Sequence, residues 1–208
     1  MNIKNPILSP DNYYHIYNHG NADDNIFRNN GNYSYFLNRY AYYINPVAET
    51  CAYCLLPNHF HFIIHVKNEM DLLKIMNKEN VKTEKIRTDG LPDFVNQQSS
   101  NFFNAYSKAF NKMYKRKGKR FRLPFKRKHL DTDAYLLKAI HYIYSNPVHH
   151  AFVKNMNDWS YSSIHAYESE RKTQIQRHSI LEMFGSLQAF KKYHAQPVDT
   201  QYKIEMDF

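Results

Sequence analysis

Two histidines one residue apart, His59 and His61, lie in the apolar run LLPNHFHFIIH over residues 55–65. Successive side chains of a strand point to opposite faces, so these two imidazoles would share one face, about 6.6 Å apart. Two neutral imidazoles are half of a common divalent-metal site, and a further ligand must come from elsewhere in the fold. His65 has the same parity but lies about 13 Å further along the strand, too far to join them. The alternative is that the pair are ordinary polar residues on a half-solvated face.

A second segment, residues 131–147, opens with helix-capping residues and closes at a proline. Its apolar residues recur at three- and four-residue spacing, which predicts an amphipathic helix. Tyr142 and Asn146 are four residues apart on one face, so a phenol and an amide oxygen can approach one point. Tyr144 points about 200° around the helix from Tyr142, so both cannot face the same site. The alternative for Tyr142 is an amphipathic tyrosine at the edge of the core.

Four motifs together resemble the HUH single-tyrosine transposases related to the insertion-sequence-200 type. They are YHIYNHGN at 14–21, LPNHFHF at 56–62, YIYSNPV at 142–148 and DWSYSS at 158–163. Within that superfamily the chain looks most like the REP-associated tyrosine transposases. The resemblance covers about residues 12 to 167, and the combination of motifs is more specific than any one of them.

The resemblance implies a metal site and a nucleophile. His59 and His61 would bind a divalent metal, Asn146 would complete the metal site, and Tyr142 would be the catalytic tyrosine, with Tyr144 as its rival. Mg²⁺ or Mn²⁺ is expected, because amide and phosphate oxygens would share the shell with the imidazoles. The implied activity is cutting and rejoining of single-stranded, hairpin-containing DNA through a 5′-phosphotyrosine. Whether the chain acts as a monomer or a homodimer stays open.

A basic segment over residues 112–128 contains ten Lys or Arg and no carboxylate, in a chain of net charge +9. Cations that follow a nucleic-acid backbone, with aromatic rings between them, are typical of single-strand binding. The predicted DNA-binding residues are Lys115, Arg116, Lys119, Arg120, Phe121, Arg122, Phe125, Lys126 and Arg127. The alternative is a solvated basic loop. Gly118 and Pro124 argue against an amphipathic membrane helix here.

The predicted fold class is α+β, an antiparallel sheet packed against helices. Strands are expected over 13–19, 48–56 and 59–67, a strand or hairpin near 120–128, helices over 31–44, 70–78 and 98–116, and a loop over 80–97. Cys51 and Cys54 are interpreted as small core residues that face opposite sides of a strand. The resemblance makes this the ferredoxin-like HUH fold with the His-x-His strand at its centre. A catalytic domain over 1–167 would carry a helical extension over 168–208 on the same domain.

No apolar run approaches the roughly 18 residues of a membrane span. The N-terminus also lacks the apolar stretch of a signal peptide, so a cytoplasmic, nucleoid-associated protein is expected. Two other functions stay open. One is a metal-dependent nuclease that activates water, and the other is a non-catalytic nucleic-acid-binding protein whose tyrosines are structural.

Overall fold

A computed structural model describes residues 5–78 and 90–197 of the 208-residue chain. The elements are β1 (Tyr13–His19), α1 (Asn30–Ile44), β2 (Ala48–Leu55), β3 (His59–Val66), α2 (Glu69–Lys78), α3 (Leu91–Met113), β4 (Lys126–Leu130), α4 (Asp133–His149), α5 (Ile164–Glu168), α6 (Arg177–Phe184) and α7 (Leu187–His194). Short 3-10 turns lie at Asn21–Asp23 and Met156–Asp158.

The four strands form one antiparallel sheet in the order β2-β3-β1-β4. The histidine strand β3 is therefore an inner strand, with His61 opposite Tyr17 of β1 and Cys54 of β2. These features confirm the predicted α+β class, the antiparallel sheet and the central position of the His-x-His strand.

Each face of the sheet is covered by its own set of helices. Phe60 and Phe62 point to one face and join a buried cluster with Phe36 of α1 and Phe102 of α3. On the other face, Ile63 packs in a second cluster with residues of α4 to α7. Side chains of β3 alternate between the two clusters, as the period of a strand requires. The two histidines consequently point toward α4, away from the phenylalanine-rich core.

Three predicted boundaries are wrong. Helix α3 begins at Leu91, inside the predicted 80–97 loop, because Leu91, Phe94 and Val95 are buried against α1 and the sheet. The remainder of that loop, 80–89, lies outside the described residues. Strand β4 begins at Lys126 rather than near residue 120. Helix α4 continues through the proline to His149, since a proline in the last turn costs only one helical hydrogen bond.

Cys51 and Cys54 are both buried and form no disulfide. Their assignment to the core is confirmed, but they do not face opposite sides of the sheet. A register shift between Thr50 and Ala52 lets both thiols join the cluster under α4. A bulge inserts an extra residue and so breaks the strict alternation of a strand.

The C-terminal helices α6 and α7 contribute Ile180 and Phe190 to the cluster that contains Tyr144 of α4. The division of the chain at residue 167 stays a prediction, and residues 198–208 lie outside the described part. Among residues 5–78 and 90–197, no helix is long and apolar enough to cross a membrane.

Candidate active site

The two predicted metal ligands lie side by side on β3, and each is only 3% exposed. The ring centroids of His59 and His61 are 5.2 Å apart and the ring planes are perpendicular. Side chains two residues apart on a strand share a face. The strand therefore brings both imidazoles to one point beneath α4.

Each of the two histidines uses its Nδ1 atom within the protein. His59 Nδ1 is hydrogen-bonded to Asn58 Oδ1 at 2.7 Å, and His61 Nδ1 is hydrogen-bonded to His15 Nε2 at 2.8 Å. The buried Nε2 of His61 has no hydrogen-bond partner among the described residues. A ring fixed through one nitrogen, with the other left for a cation, is the usual arrangement of a metal-binding histidine.

The environment keeps these imidazoles neutral. Burial is the main cause that lowers the pKa of His59 and of His15 to about 3. The charges of His19 and His150 contribute at His59, and the charge of Lys128 contributes at His15. Burial, followed by the surrounding imidazoles, holds the pKa of His61 well below its usual range. Only neutral imidazole binds a metal ion. The pair is thus in the ligating form over the physiological pH range.

Helix α4 carries Tyr142 and Asn146 to the same place. The Tyr142 ring centroid lies 5.8 Å from that of His61 and 6.3 Å from that of His15. Asn146 forms a side-chain hydrogen bond with His59, and its Nδ2 donates to the Tyr142 carbonyl at 3.0 Å. One turn of helix therefore joins the tyrosine and the amide to the histidine pair.

Tyr144, the rival nucleophile, lies elsewhere. Its ring is fully buried, and its hydroxyl is hydrogen-bonded to Ser163 Oγ at 2.8 Å. Burial holds the pKa of the Tyr144 phenol well above its usual range. The two tyrosines diverge around the helix as predicted. The Tyr142 ring contacts His61 and His15, whereas the Tyr144 ring contacts His194, outside the site.

Three further histidines surround the pair, and the sequence reasoning did not include them. His15 bonds His61 as described, His19 stacks on His59 with centroids 4.5 Å apart, and the His150 ring lies 5.0 Å from that of His59. The alternation of His15, Tyr17 and His19 in β1 was a usable signal, because period-two residues of neighbouring strands share a face.

Gly20 holds the end of β1 against the start of the histidine strand. Its amide donates to the Asn58 carbonyl at 2.8 Å. A Cβ at this position would lie 2.2 Å from the Asp24 carbonyl oxygen, so no side chain fits. The glycine therefore permits the close approach that positions Asn58 and, through it, His59.

The donor set of this site has two imidazoles and one amide. Within residues 5–78 and 90–197, no group of three or more His, Cys, Asp or Glu side chains is arranged to hold a metal ion. A cation would rest on His59, His61 and the Asn146 oxygen. The unpartnered Nε2 of His61 fits that role. Three ligands leave positions open for phosphate oxygens, as a catalytic site requires.

The two phenylalanines of the basic segment do not face solvent. Phe121 is 3% and Phe125 is 6% exposed, and both rings pack against Phe103 of α3. Alternation with cations suggested base stacking, but the hydrophobic core takes both rings. Their burial contradicts the expected solvent-facing rings and gives no support to a base-stacking role for either residue.

Two arginines of the segment also have structural roles. Arg120 is 2% exposed, lies 3.4 Å from Asp24, and covers the ring of Phe110. Arg127 donates to the Asn96 side chain at 2.8 Å and to a backbone carbonyl. Both guanidiniums satisfy groups inside the fold, so their prediction as phosphate contacts is not supported by their positions.

The remaining predicted cations are at the surface or near it. Arg116 and Arg122 each form an ion pair at 2.6 Å, with Asp24 and Asp23. The exposed Lys115, Lys119 and Lys126 form no ion pair within the described part of the chain.

This cationic surface reaches the histidine cluster. Lys126 lies opposite Tyr17, the residue that pairs with His61 on the other side of β1. Burial lowers the pKa of His19, and the charges of Arg122 and Lys126 lower it further. Cations therefore border the site on its β4 side.

Comparison with known proteins gives one relative in sequence and one in structure, while no family model matches the chain. The chain is 31% identical over 117 residues to a Haemophilus influenzae protein provisionally named REP-associated tyrosine transposase. The match covers 56% of this chain and 59% of the relative, so the chain spans less than two thirds of the relative's length.

The solved structure of a REP-associated tyrosine transposase bound to a REP hairpin is similar to the fold of this chain. The TM-score is 0.56, the identity is 15%, and the match covers 82% of this chain and 87% of the other. The resemblance inferred from the motifs is therefore confirmed in sequence and in fold.

Proposed function

We propose that this chain is a REP-associated tyrosine transposase of the HUH type, which cuts and rejoins single-stranded DNA beside hairpins. The observation that carries the proposal is the contact of Tyr142 with the buried histidine pair, at 5.8 Å between its ring centroid and that of His61. The similarity to REP-associated tyrosine transposases in sequence and fold adds support.

A divalent ion fits the donor set of His59, His61 and Asn146. Mg²⁺ or Mn²⁺ bound there would polarise a phosphodiester oxygen and stabilise the charge that develops on the phosphoryl group. The protein's own contribution is to keep both imidazoles neutral and fixed. Asn58 and His15 do this through the two Nδ1 atoms.

Tyr142 is the nucleophile in this proposal. Its hydroxyl oxygen would bond to phosphorus and lose its proton, while the bond from phosphorus to the 3′ oxygen breaks and that oxygen is protonated. The products are a 5′-phosphotyrosine and a 3′-hydroxyl. A free phenol is a weak nucleophile at neutral pH, and a cation held beside Tyr142 would supply the activation that the reaction needs. Attack of another 3′-hydroxyl on the phosphotyrosine rejoins DNA without ATP.

The proposed partner is single-stranded DNA that contains hairpins. The similar solved structure is of a transposase bound to a REP hairpin, and the exposed lysines of the basic segment offer phosphate contacts near the site. Phosphate contacts supply most of the affinity of such proteins. We place the protein in the cytoplasm at the nucleoid, as a monomer or a homodimer, and a sizing column distinguishes these two states.

A covalent protein–oligonucleotide adduct tests the function. The chain is incubated with Mg²⁺ or Mn²⁺ and a labelled hairpin that has single-stranded flanks, and the products are separated on a denaturing gel. We expect a labelled band at the protein's mass. Cleavage with no adduct would instead identify a metal-dependent nuclease that activates water. Binding with neither cleavage nor adduct would identify a non-catalytic DNA-binding protein.

A further inference from the structure

A row of aromatic side chains leads from the candidate active site across the surface beyond α4. We call His150, Phe152, Trp159 and Tyr161 the aromatic track. His150 lies 5.0 Å from His59 and 6.4 Å from Phe152, as ring centroids. Trp159 lies 5.4 Å from Phe152 and 5.8 Å from Tyr161. The track thus begins at the histidine pair and continues away from it without a gap.

Phe152 is the residue of the track with the least role in packing the protein core. Its side chain is 45% exposed and belongs to neither core cluster. The backbone nevertheless fixes its position, since its amide donates to the Pro147 carbonyl at 2.9 Å. The preceding Ala151 has φ 56°, a left-handed conformation that is uncommon for a residue with a side chain. The bonds from Phe152 to Pro147 and from Ala151 to Val148 form the cap that ends α4, and this cap fixes the exposed ring in place. An exposed apolar ring continuous with other aromatic rings is typical of a binding surface.

The other end of the track is held rigidly. Trp159 Nε1 donates to the Leu55 carbonyl at 3.0 Å, and the Tyr161 hydroxyl donates to Asn30 Oδ1 at 2.5 Å. Tyr161 also stacks on Tyr33, with centroids 3.5 Å apart and an interplanar angle of 5°. Both rings stay half-buried, so each keeps an accessible surface. Fixed aromatic rings lose little entropy when a flat ligand stacks on them.

The surroundings of the track carry no net negative charge that would repel a polyanion. Residues 145–163 contain one carboxylate, Asp158, which Lys154 balances, and two exposed histidines. Beside Tyr161 lies a groove of about 500 Å³, and its lining includes Arg28, Asn29 and Asn30. Amide side chains can bond base edges and the guanidinium can bond phosphate.

We propose that the aromatic track binds the unpaired bases that flank the cleaved phosphate, outside the hairpin. This inference rests on the proposed function and names the part of the substrate that the site would hold. Base–aromatic stacking tolerates any sequence and, with nearby cations, is the common way in which proteins hold single strands. The aromatic track provides the exposed stacking surfaces that the buried Phe121 and Phe125 cannot provide.

The test compares three oligonucleotides that share one hairpin: one blunt, one with an unpaired 5′ tail and one with an unpaired 3′ tail. Affinities are measured for the full chain, for Phe152→Ala and for Phe152→Trp. Tyr42→Ala is the matched control, because Tyr42 is an exposed aromatic on α1 outside the track. A 2-aminopurine in the tail reports stacking by its fluorescence.

We expect one of the two tails to strengthen binding by the unmodified chain. The fluorescence of the 2-aminopurine in that tail should be quenched in the complex. Phe152→Ala should lose at least about fivefold in affinity for that tailed DNA and keep its affinity for the blunt hairpin. Phe152→Trp should restore the gain, and Tyr42→Ala should match the unmodified chain. Equal losses on blunt and tailed DNA, or no loss on either, would overturn the track.

The adduct assay on the same tailed substrate separates this inference from the proposed function. Adduct formation by the unmodified chain, together with a tail that strengthens binding equally in Phe152→Ala, would overturn the aromatic track and leave the proposed function standing. If the tail strengthens binding only when Phe152 is present, and no adduct forms, the result supports the aromatic track and overturns the proposed chemistry.

Discussion

Tyr142 and Tyr144 lie two residues apart in α4 and, within one buried cluster, contact different neighbours. The Tyr142 ring lies beside the imidazole of His61, whereas the Tyr144 hydroxyl is hydrogen-bonded to Ser163 at 2.8 Å, beneath α5 and α7. A helix turns about 100° per residue, so two tyrosines at this spacing cannot reach one phosphate. The difference makes them an internal control for each other.

Tyr142→Phe should remove covalent adduct formation while the variant folds and binds hairpin DNA nearly normally. Phenylalanine keeps the ring and its packing but lacks the nucleophilic oxygen. Tyr144→Phe should still form the adduct, with some loss of stability, because it removes a buried hydrogen bond while Ser163 keeps its bonds to the Tyr53 backbone. The denaturing gel and a thermal melt measure the two effects. An adduct from the Tyr142 variant would identify another nucleophile.

The sequence was sufficient for the parts of this site that follow from local periodicity. The side chains of His59 and His61 meet because a strand alternates its faces, and those of Tyr142 and Asn146 meet because a helix repeats every turn. The approach of the two pairs depends on the packing of α4 over the sheet. The spacing of residues within each segment does not predict a contact between the two segments. Only the resemblance to a family predicted that contact.

Prediction from local pattern was wrong where tertiary packing decides. Phe121 and Phe125 alternate with cations in the sequence, yet the core under α3 takes both rings. The solvent-facing ring of Phe152 gives no signal in the sequence, because it follows a helix end and a left-handed residue whose conformation sequence patterns do not predict. Burial of an aromatic side chain is a property of the assembled layers.

His59→Ala and His61→Ala should each abolish cleavage that depends on divalent metal and leave most of the DNA affinity. The imidazoles are the expected ligands, whereas lysine and arginine contacts to phosphate supply the bulk of binding. His65→Ala is the matched control. It lies on the same face of β3, but its ring stacks on Tyr13, away from the site. Cleavage rates in Mn²⁺ and in chelator test the prediction, and an unchanged rate in both ligand variants would refute the metal site.

Asn58→Ala should weaken metal-dependent cleavage by about 10- to 100-fold, because partners that fix a metal-binding histidine have effects of that size. The hydrogen bond that it removes, from His59 Nδ1 to Asn58 Oδ1, is 2.7 Å long. A titration with Mn²⁺ should need more metal to reach half of the maximal rate. Loss of rate with no change in the metal requirement would show that Asn58 does not act through the metal.

Neutralising the four exposed cations Lys115, Lys119, Arg122 and Lys126 should weaken binding of single-stranded DNA and flatten its salt dependence. Each lost phosphate contact should lower the slope of log affinity against log salt by about 0.7. Arg122 contributes less than the lysines if its ion pair with Asp23 persists in the complex. Changing Lys172 and Lys192, which lie outside the segment, is the control. An unchanged slope in the fourfold variant would place the DNA on another surface.

Acid should destabilise this protein in part through His194, which lies 5% exposed between α4 and the end of α7. Its Nδ1 is hydrogen-bonded to that of His141 at 2.9 Å. Burial, and then the charge of His141, lower the pKa of His194 to about 3. In the unfolded chain the pKa is about 6.5, so between these values the unfolded state binds more protons. The stability is therefore complete above about pH 6.5 and falls with pH through that window.

His194→Leu should make the free energy of unfolding less dependent on pH than in the unmodified chain. Between pH 6.5 and 4.5 the difference should be about 2 to 3 kcal/mol, since one pH unit corresponds to about 1.4 kcal/mol per proton. The buried histidines of the active site titrate alike in both proteins, so their contributions cancel. His178→Leu on α6, where the side chain is exposed, is the control. Urea unfolding at both pH values measures the difference, and parallel curves for His194→Leu and the unmodified chain would contradict the assignment.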